Sequence, residues 1–139
     1  MDDLLARIKE RLEEELTFYD EMEDRFGLHY CIMLVQSPDV YLINVYDMNE
    51  HFRKVDRIKK VAPDMLAIFF LPKDIAHQKL VVDRAGELLR ERGIANYHIG
   101  VACNRGDQSE NVLRRALKNL RLAMEENKEA VCEFCGFKE

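Results

Sequence analysis

The sequence lacks several features that would place a protein in a specialised class. Its 139 residues include no tryptophan, three prolines and six glycines, which excludes a proline-rich linker and a glycine-rich repeat. No apolar run approaches the roughly 18 residues that a membrane-spanning helix needs. We therefore expect a globular chain without a membrane span.

An excess of positive charge is missing as well. The net charge is −5, and the lysines and arginines are interleaved with acidic residues. A nucleic-acid-binding surface normally needs a basic face, so no nucleic-acid partner is expected. The opening segment, MDDLLARIKERLEEE, is too acidic for a signal peptide. Four cysteines without an export signal make a reducing cytoplasm the expected location.

The residues that are present predict one domain with an apolar core, since 47% of them are apolar and 34% are charged. Residues 1–26 predict a long amphipathic helix, because their apolar positions recur every three or four residues. This helix either lies on its own domain or pairs two copies of the chain, because its seam approximates a heptad. The second alternative predicts a homodimer through this helix. Gly27 is expected to end the helix.

The remaining residues, 27–139, predict an alternation of strands and helices. Short apolar runs between turn residues indicate strands, and apolar positions at helical spacing indicate helices. A hairpin through Ala62-Pro63-Asp64, combined with crossover helices, predicts an α+β fold with a mixed or antiparallel sheet flanked by helices. Ser37 and Ser109 are expected to be helix caps. The expected strands are 29–36, 56–61, 65–71, 96–103 and 130–134, and the expected helices are 38–54, 74–92 and 110–126.

An ordered set of short motifs resembles the GGDEF family of diguanylate cyclases. The block DRIKKVAPDMLAI at 56–68 is similar to the family's D-x-x-x-R-x-G-G-D-E-F-A-I block, and IGVA at 99–102 matches a family strand. The resemblance implies a nucleotide-cyclase-like, ferredoxin-like fold with an N-terminal stalk helix. It also implies a chemistry that joins two GTP molecules, one from each subunit. The other matching segments are LT at 16–17, YCIMLVQSP at 30–38, VYLIN at 40–44 and LRRALKNLRLAMEENKEAV at 113–131.

The chain departs from the family pattern at the positions that carry this chemistry. Family members use two carboxylates to hold divalent metal and phosphate, because Mg²⁺ prefers oxygen ligands. Those positions are Gln36 and Met65 here, and an amide and a thioether cannot replace two carboxylates. Ala62 and Pro63 replace the two signature glycines, which adds bulk and removes an N–H donor. We therefore expect Gln36, Asp64 and Met65 to be vestigial, with no catalytic residue, and we expect no cofactor unless residual GTP turnover uses Mg²⁺.

One ligand-binding feature of the family is kept. Arg53-Lys54-Val55-Asp56 resembles the inhibitory R-x-x-D site, which lies five residues before the signature and binds cyclic di-GMP. A guanidinium can clasp phosphate or a guanine edge, and a carboxylate can accept from guanine N–H groups. The alternative is a solvated ion pair of small energetic value. Asn44 stands at the position of the family's guanine-reading asparagine, and Lys128 keeps a positive charge near the closing helix, so both are weaker nucleotide-binding candidates.

The cysteines suggest a metal site only weakly. Cys132 and Cys135 have the spacing of a zinc knuckle, but a structural zinc site needs four ligands. A site completed by a partner, a redox pair and a purely structural role all remain open for them. Cys31 and Cys103 lie in predicted strands, where a cysteine usually acts as a small buried hydrophobe.

Three functions are compatible with these observations. The preferred one is a catalytically degenerate signalling domain that binds cyclic di-GMP or another guanine nucleotide through Arg53 and Asp56. The second is a structural or partner-binding domain that binds no nucleotide. The third is a residual diguanylate cyclase that uses GTP and Mg²⁺, with Asp64 as its one metal carboxylate.

Overall fold

The computed structural model describes residues 3–53 and 56–134. No described helix is both long enough and apolar enough to cross a membrane. The helices are α1 (Asp3–Arg11), α2 (Glu13–Phe26), α3 (Val45–Asn49), α4 (Ile75–Glu91) and α5 (Ser109–Glu125), with a 3-10 helix at Val40–Leu42. The strands are β1 (Cys31–Gln36), β2 (Arg57–Ala62), β3 (Met65–Phe70), β4 (His98–Cys103) and β5 (Ala130–Cys132).

The strands form one mixed sheet in the order β2-β3-β1-β4-β5. The central strand β1 pairs antiparallel with β3 on one side and with β4 on the other. The hairpin of β2 and β3 lies at one edge, and β5 pairs parallel with β4 at the other. This arrangement confirms the predicted α+β fold and the hairpin through the Ala62-Pro63-Asp64 turn.

Both faces of the sheet are covered, because successive side chains of a strand point to opposite faces. One face packs against α3 and α4, and the other packs against α1, α2 and α5. Strands β1 and β3 are buried almost throughout, which explains why they read as continuous apolar runs and not as alternating ones. On the α4 face lie Cys31, Met33, Val35, Leu66, Ile68 and Phe70, and on the α5 face lie Ile32, Leu34, Ala67 and Phe69.

Helix α5 lies unusually close to the sheet at Gly100 of β4. A Cβ atom built at Gly100 would lie 2.6 Å from the Cα of Leu120, and still closer to the Leu120 nitrogen and the Ala116 oxygen. These neighbours are backbone atoms, which cannot turn away as a side chain can. Only glycine is therefore compatible with this contact between β4 and α5.

The N-terminal residues form two helical segments that meet at Leu12, and both pack on the domain. Leu12 has φ −106° and ψ 12°, although its N–H still donates to the carbonyl of Ile8 at 3.0 Å. The apolar stripe of Leu5, Ile8, Leu12, Leu16 and Tyr19 is buried against the α5 face of the sheet. The stripe that would form a coiled-coil seam is thus used within the chain. A homodimer through this helix, and a domain boundary at residue 26, stay predictions.

Two local predictions were wrong. The single helix expected over 38–54 is interrupted at Ile43, which is extended at φ −87° and ψ 126°. A new helix, α3, starts after it because the side chain of Asn44 accepts hydrogen bonds from the N–H groups of Tyr46 and Asp47. Ser37 accepts from the N–H of Asp39 at 3.1 Å, in the turn before the 3-10 helix.

The second error concerns the start of α5. Ser109 is the first residue of that helix and not its cap. The capping acceptor comes from α2, where Asp20 accepts from the backbone N–H and from the hydroxyl of Ser109, each at 2.7 Å. A carboxylate at a helix N-terminus is favourable because the first N–H groups lack partners within the helix. Asp20 therefore connects the N-terminal helices to α5.

We expect Gly100→Ala to lower the free energy of unfolding by about 3 kcal/mol, because the added methyl group forces α5 away from β4. Urea unfolding followed by circular dichroism measures this change. Gly86→Ala is the matched control, since its added Cβ lies 2.8 Å from the hydroxyl of the Tyr97 side chain. That variant gains helix propensity and should stay within about 1 kcal/mol of the parent chain. Equal stability of the two variants would contradict the tight contact.

Candidate functional site

The residues at the family's catalytic positions meet at the tip of the β2–β3 hairpin. Gln36, the last residue of β1, lies opposite Met65, the first residue of β3. The amide nitrogen of Gln36 donates to Oδ2 of Asp64 at 3.4 Å, and the N–H of Ser37 donates to the Asp64 carbonyl at 3.0 Å. The structure thus brings Gln36, Asp64 and Met65 together, as the resemblance implies.

Their side chains differ in what they can reach. Asp64 is exposed, whereas Met65 is 3% exposed and belongs to the core on the α5 face. A buried thioether offers no oxygen to a metal ion such as Mg²⁺. Among the described residues, no group of three or more histidine, cysteine, aspartate or glutamate side chains could hold a metal ion. The carboxylate at this turn is therefore not part of a cluster of metal ligands within the described part of the chain.

A cleft of about 810 Å³ lies beside this turn. Its walls come from the hairpin, from the end of β1, and from helices α1 and α5. Arg7 and Arg11 of α1 line it together with Arg121 of α5, and its carboxylates are Asp64 and Glu10. Three arginines against two carboxylates make the lining net positive. This chemistry suits an anionic group better than a divalent cation.

Arg53 and Asp56, the candidate ligand-binding pair, lie between α3 and β2. The N–H of Arg53 donates to Oδ2 of Asp56 at 3.0 Å, and the Nε of Arg53 lies 4.0 Å from the same oxygen. The guanidinium also donates to the carbonyl oxygen of Leu71, at the end of β3. The side chain of Arg53 is 39% exposed, whereas that of Asp56 is 3% exposed. The pair therefore combines an accessible cation with a buried carboxylate.

The free-energy cost of burying the Asp56 carboxylate is only partly offset by its hydrogen bonds. Its Oδ1 atom is buried and makes no hydrogen bond of ordinary geometry with any described residue. Burial raises the pKa of this carboxyl above its ordinary value, and the charge of Arg53 and the backbone N–H groups of Arg53 and Leu71 oppose that rise without cancelling it. A buried charge is costly unless hydrogen bonds satisfy it. Asp56 is thus a buried acceptor with capacity for a further donor.

The two weaker nucleotide candidates already have local partners. The side-chain oxygen of Asn44 accepts from Tyr46 and Asp47 at 3.0 and 3.3 Å, which leaves its amide N–H₂ as the group able to contact a ligand. Lys128 follows the C-terminus of α5 and lies 2.7 Å from the carboxylate of Glu126 in an exposed ion pair. Within the described part of the chain, neither residue forms a hydrogen bond or ion pair with Arg53, Asp56 or the hairpin tip.

Of the two cysteines with zinc-knuckle spacing, Cys132 lies within the described residues and Cys135 lies outside them. Cys132 ends β5 and is partly buried against the α4 face of the sheet. Burial raises the pKa of its thiol to about 11, with a smaller contribution from Asp83. A thiol with a raised pKa is a poor metal ligand and a poor nucleophile at neutral pH.

The sequence patterns missed one surface. Tyr41, Leu42 and Tyr46 are 70%, 49% and 86% exposed, and they line a shallow groove with Ile43 and Lys60. The sequence predicts one helix over 38–54 that contains these residues. The extended backbone at Ile43 interrupts that helix, and Tyr41, Leu42 and Tyr46 lie on the surface around the interruption, whereas Ile43 is buried. Their spacing alone contains no signal that would have revealed this exposure.

The comparisons with known proteins agree on the fold. The GGDEF domain of DgcB from Caulobacter crescentus, solved in complex with c-di-GMP, superposes with a TM-score of 0.69 at 12% identity and covers 89% of both chains. The GGDEF domain of FimX from Pseudomonas aeruginosa has a TM-score of 0.68 at 13% identity, and the superposition covers 90% of this chain and 93% of the FimX chain.

A third structure is the diguanylate cyclase SiaD from Pseudomonas aeruginosa in complex with its activator SiaC. It has a TM-score of 0.70 at 16% identity, and the superposition covers 91% of this chain and 58% of the SiaD chain. No family model matches the sequence, and no curated protein matches it. Identities this low establish similarity of fold and nothing further about activity.

We expect Asp56→Asn to change how stability depends on pH. The folded-state pKa of Asp56 is raised above the ordinary 3.8, so the folded chain binds a proton more readily than the unfolded chain. Asp56 therefore destabilises the parent chain progressively as pH rises from 3.8 through its raised pKa, and fully above it. The stability of Asp56→Asn should not decrease in this way as pH rises, because a neutral amide does not ionise. Urea unfolding between pH 4 and pH 8 measures the difference.

The matched control for that comparison is Asp24→Asn, which makes the same substitution at an exposed position of α2. Parallel stability curves for the parent chain and Asp56→Asn would show that burial does not perturb the Asp56 carboxyl.

Proposed function

We propose that this chain, which has the GGDEF-domain fold, is a signalling domain that binds cyclic di-GMP or a related guanine nucleotide and does not synthesise it. The observation that carries the proposal is the Arg53–Asp56 pair, in which a partly exposed guanidinium adjoins a buried carboxylate with unused acceptor capacity. The resemblance to the inhibitory R-x-x-D motif adds support from the sequence.

The pair has the chemistry to recognise such a ligand. The guanidinium of Arg53 carries five N–H donors, of which the carbonyl of Leu71 takes one, so other donors can meet a phosphate or the acceptor edge of guanine. The Asp56 carboxylate can accept from guanine N–H groups. The burial of this carboxylate makes such a bond stronger than one formed in water. The contact with Leu71 also holds the guanidinium in place before a ligand arrives, which lowers the entropic cost of binding.

The residues at the hairpin tip support the absence of synthesis. Phosphoryl transfer needs metal ions held by oxygen ligands, and Gln36 and Met65 replace the two family carboxylates. Met65 is buried in the core, so its side chain does not take the place of the missing carboxylate. Pro63 also lacks the N–H that a glycine would offer to a phosphate. We therefore assign no catalytic role to Gln36, Asp64 or Met65.

We expect isothermal titration calorimetry to detect binding of cyclic di-GMP to the parent chain. Arg53→Ala should weaken that binding roughly tenfold to a hundredfold, because it removes hydrogen bonds from a charged donor. Arg114→Ala, which removes an exposed arginine of α5, is the matched control and should leave the affinity unchanged. Absence of heat with the parent chain, or equal affinity in the Arg53 variant, would refute the proposed site.

Incubation with GTP and Mg²⁺ or Mn²⁺, followed by chromatography of the nucleotides, separates a receptor from a residual cyclase. The proposal expects GTP to remain unchanged. Formation of cyclic di-GMP that disappears in Asp64→Asn would instead assign catalysis to the hairpin tip.

A second function has independent support from the exposed apolar surface. Tyr41, Leu42 and Tyr46 lie together around the 3-10 helix and the start of α3, and exposed aromatic clusters are typical of protein-binding sites. We propose this surface as the contact for a protein partner if no nucleotide binds. SiaD, which was solved with its activator SiaC, is an example of a similar fold that assembles with a protein.

We expect the double variant Tyr41→Ser/Tyr46→Ser to lose a protein that the parent chain captures without nucleotide. Its free energy of unfolding should change by less than about 0.5 kcal/mol, because both side chains are exposed. Leu80→Ser, on the exposed side of α4, is the control and should retain the captured protein. Capture that is equal in all three proteins would exclude this surface.

A further inference from the structure

We infer that Cys31 and Cys103 form a site for an intramolecular disulfide that joins strands β1 and β4. The two residues lie directly opposite each other in the register of these strands. Both are thiols, and both are completely buried on the α4 face of the sheet. Their Sγ atoms are 2.7 Å apart. This inference is independent of the proposed nucleotide site.

The hydrogen-bond pattern shows that this position suits a disulfide. Asn104 donates to the carbonyl of Tyr30 at 2.9 Å, so the neighbouring pair of residues is a hydrogen-bonded one. In an antiparallel ladder the pairs alternate, which makes Cys31 and Cys103 a non-hydrogen-bonded pair. Cα atoms in such pairs are about 4.5 Å apart, which lies within the range of about 4.4–6.8 Å found in disulfides. The backbone therefore needs little movement to accept the bond.

The contacts of Cys103 agree with this geometry. Its backbone N–H points away from β1, toward the carboxylate of Glu133 at 3.4 Å. Its thiol lies 3.3 Å from the carbonyl oxygen of Glu133, just after β5. Arg115 and Arg105 hold the Glu133 carboxylate at 3.3 and 3.2 Å. Glu133, which follows β5, thus packs directly against the thiol of Cys103.

The reaction is a thiol–disulfide exchange with a small disulfide such as oxidised glutathione. The thiolate of one cysteine attacks the glutathione disulfide, forms a mixed disulfide and releases one glutathione thiolate. The second cysteine then attacks the protein sulfur of the mixed disulfide and releases the second. The two cysteines are oxidised, glutathione is reduced, and the two thiol protons pass to the released thiolates.

The test is to unfold the reduced chain in urea and refold it with a mixture of oxidised and reduced glutathione. Access to the buried thiols is then not limiting. We expect a mass loss of about 2 Da for one disulfide, and peptide mapping that joins the Cys31 and Cys103 peptides. The bond closes a loop between residues 72 positions apart, so the melting temperature should rise by roughly 10 °C and fall again with dithiothreitol.

Cysteine variants identify the pair. Cys31→Ala and Cys103→Ala should each abolish the mass loss and the thermal shift, whereas Cys132→Ala should retain both. If a core variant fails to fold, the peptide map of the parent chain still decides the question. A bond that involves Cys132 or Cys135, two unmodified thiols after oxidative refolding, or a lower melting temperature in the oxidised chain would overturn the inference.

Discussion

The direct contact between the backbones of α5 and β4 at Gly100 is the constraint on which the rest of the structure depends. The helix lies so close to the strand that a single added carbon atom has no space. The position of α5 in turn places the N-terminal helices, because Asp20 of α2 binds its first residue. The cleft beside the hairpin tip is bounded by α1 and α5. The position of its α5 wall therefore depends on this close approach.

Electrostatics divides the surface around the sheet into two different environments. At the hairpin tip, Asp64 is exposed and its neighbours are an amide and a buried thioether, so little there would concentrate divalent metal. At the Arg53–Asp56 pair, burial raises the pKa of the carboxyl and the adjacent guanidinium opposes the rise. The second environment retains a free-energy cost that a ligand with N–H donors would reduce. This difference explains why the proposed function lies upstream of the hairpin and not at its tip.

The elements that the sequence predicted well are those with a strong local signal. Strands β1 and β3 are uninterrupted apolar runs, and the helices at α4 and α5 have a clear apolar face. Asp74 caps α4, because its side chain accepts from the N–H of His77 three residues later. The prediction of one helix over 38–54 was wrong because Ile43 is extended and Asn44 caps a new helix after it. The spacing of apolar residues contains no information about such a cap. The proximity of Gln36, Asp64 and Met65 followed from the resemblance, whereas the partial exposure of Arg53 beside a buried Asp56 did not.

By itself, the sequence determined the order of the main elements, the hairpin turn and the residue types at the family positions, because these depend on neighbours along the chain. The tertiary structure alone decided which distant groups meet. It placed Asp20 at the start of α5 and Cys31 opposite Cys103, and it left Tyr41 and Tyr46 on the surface. It also buried one oxygen of Asp56 without a hydrogen bond of ordinary geometry to a described residue. The physical reason is that strand register and helix packing set these contacts, and both depend on the whole core.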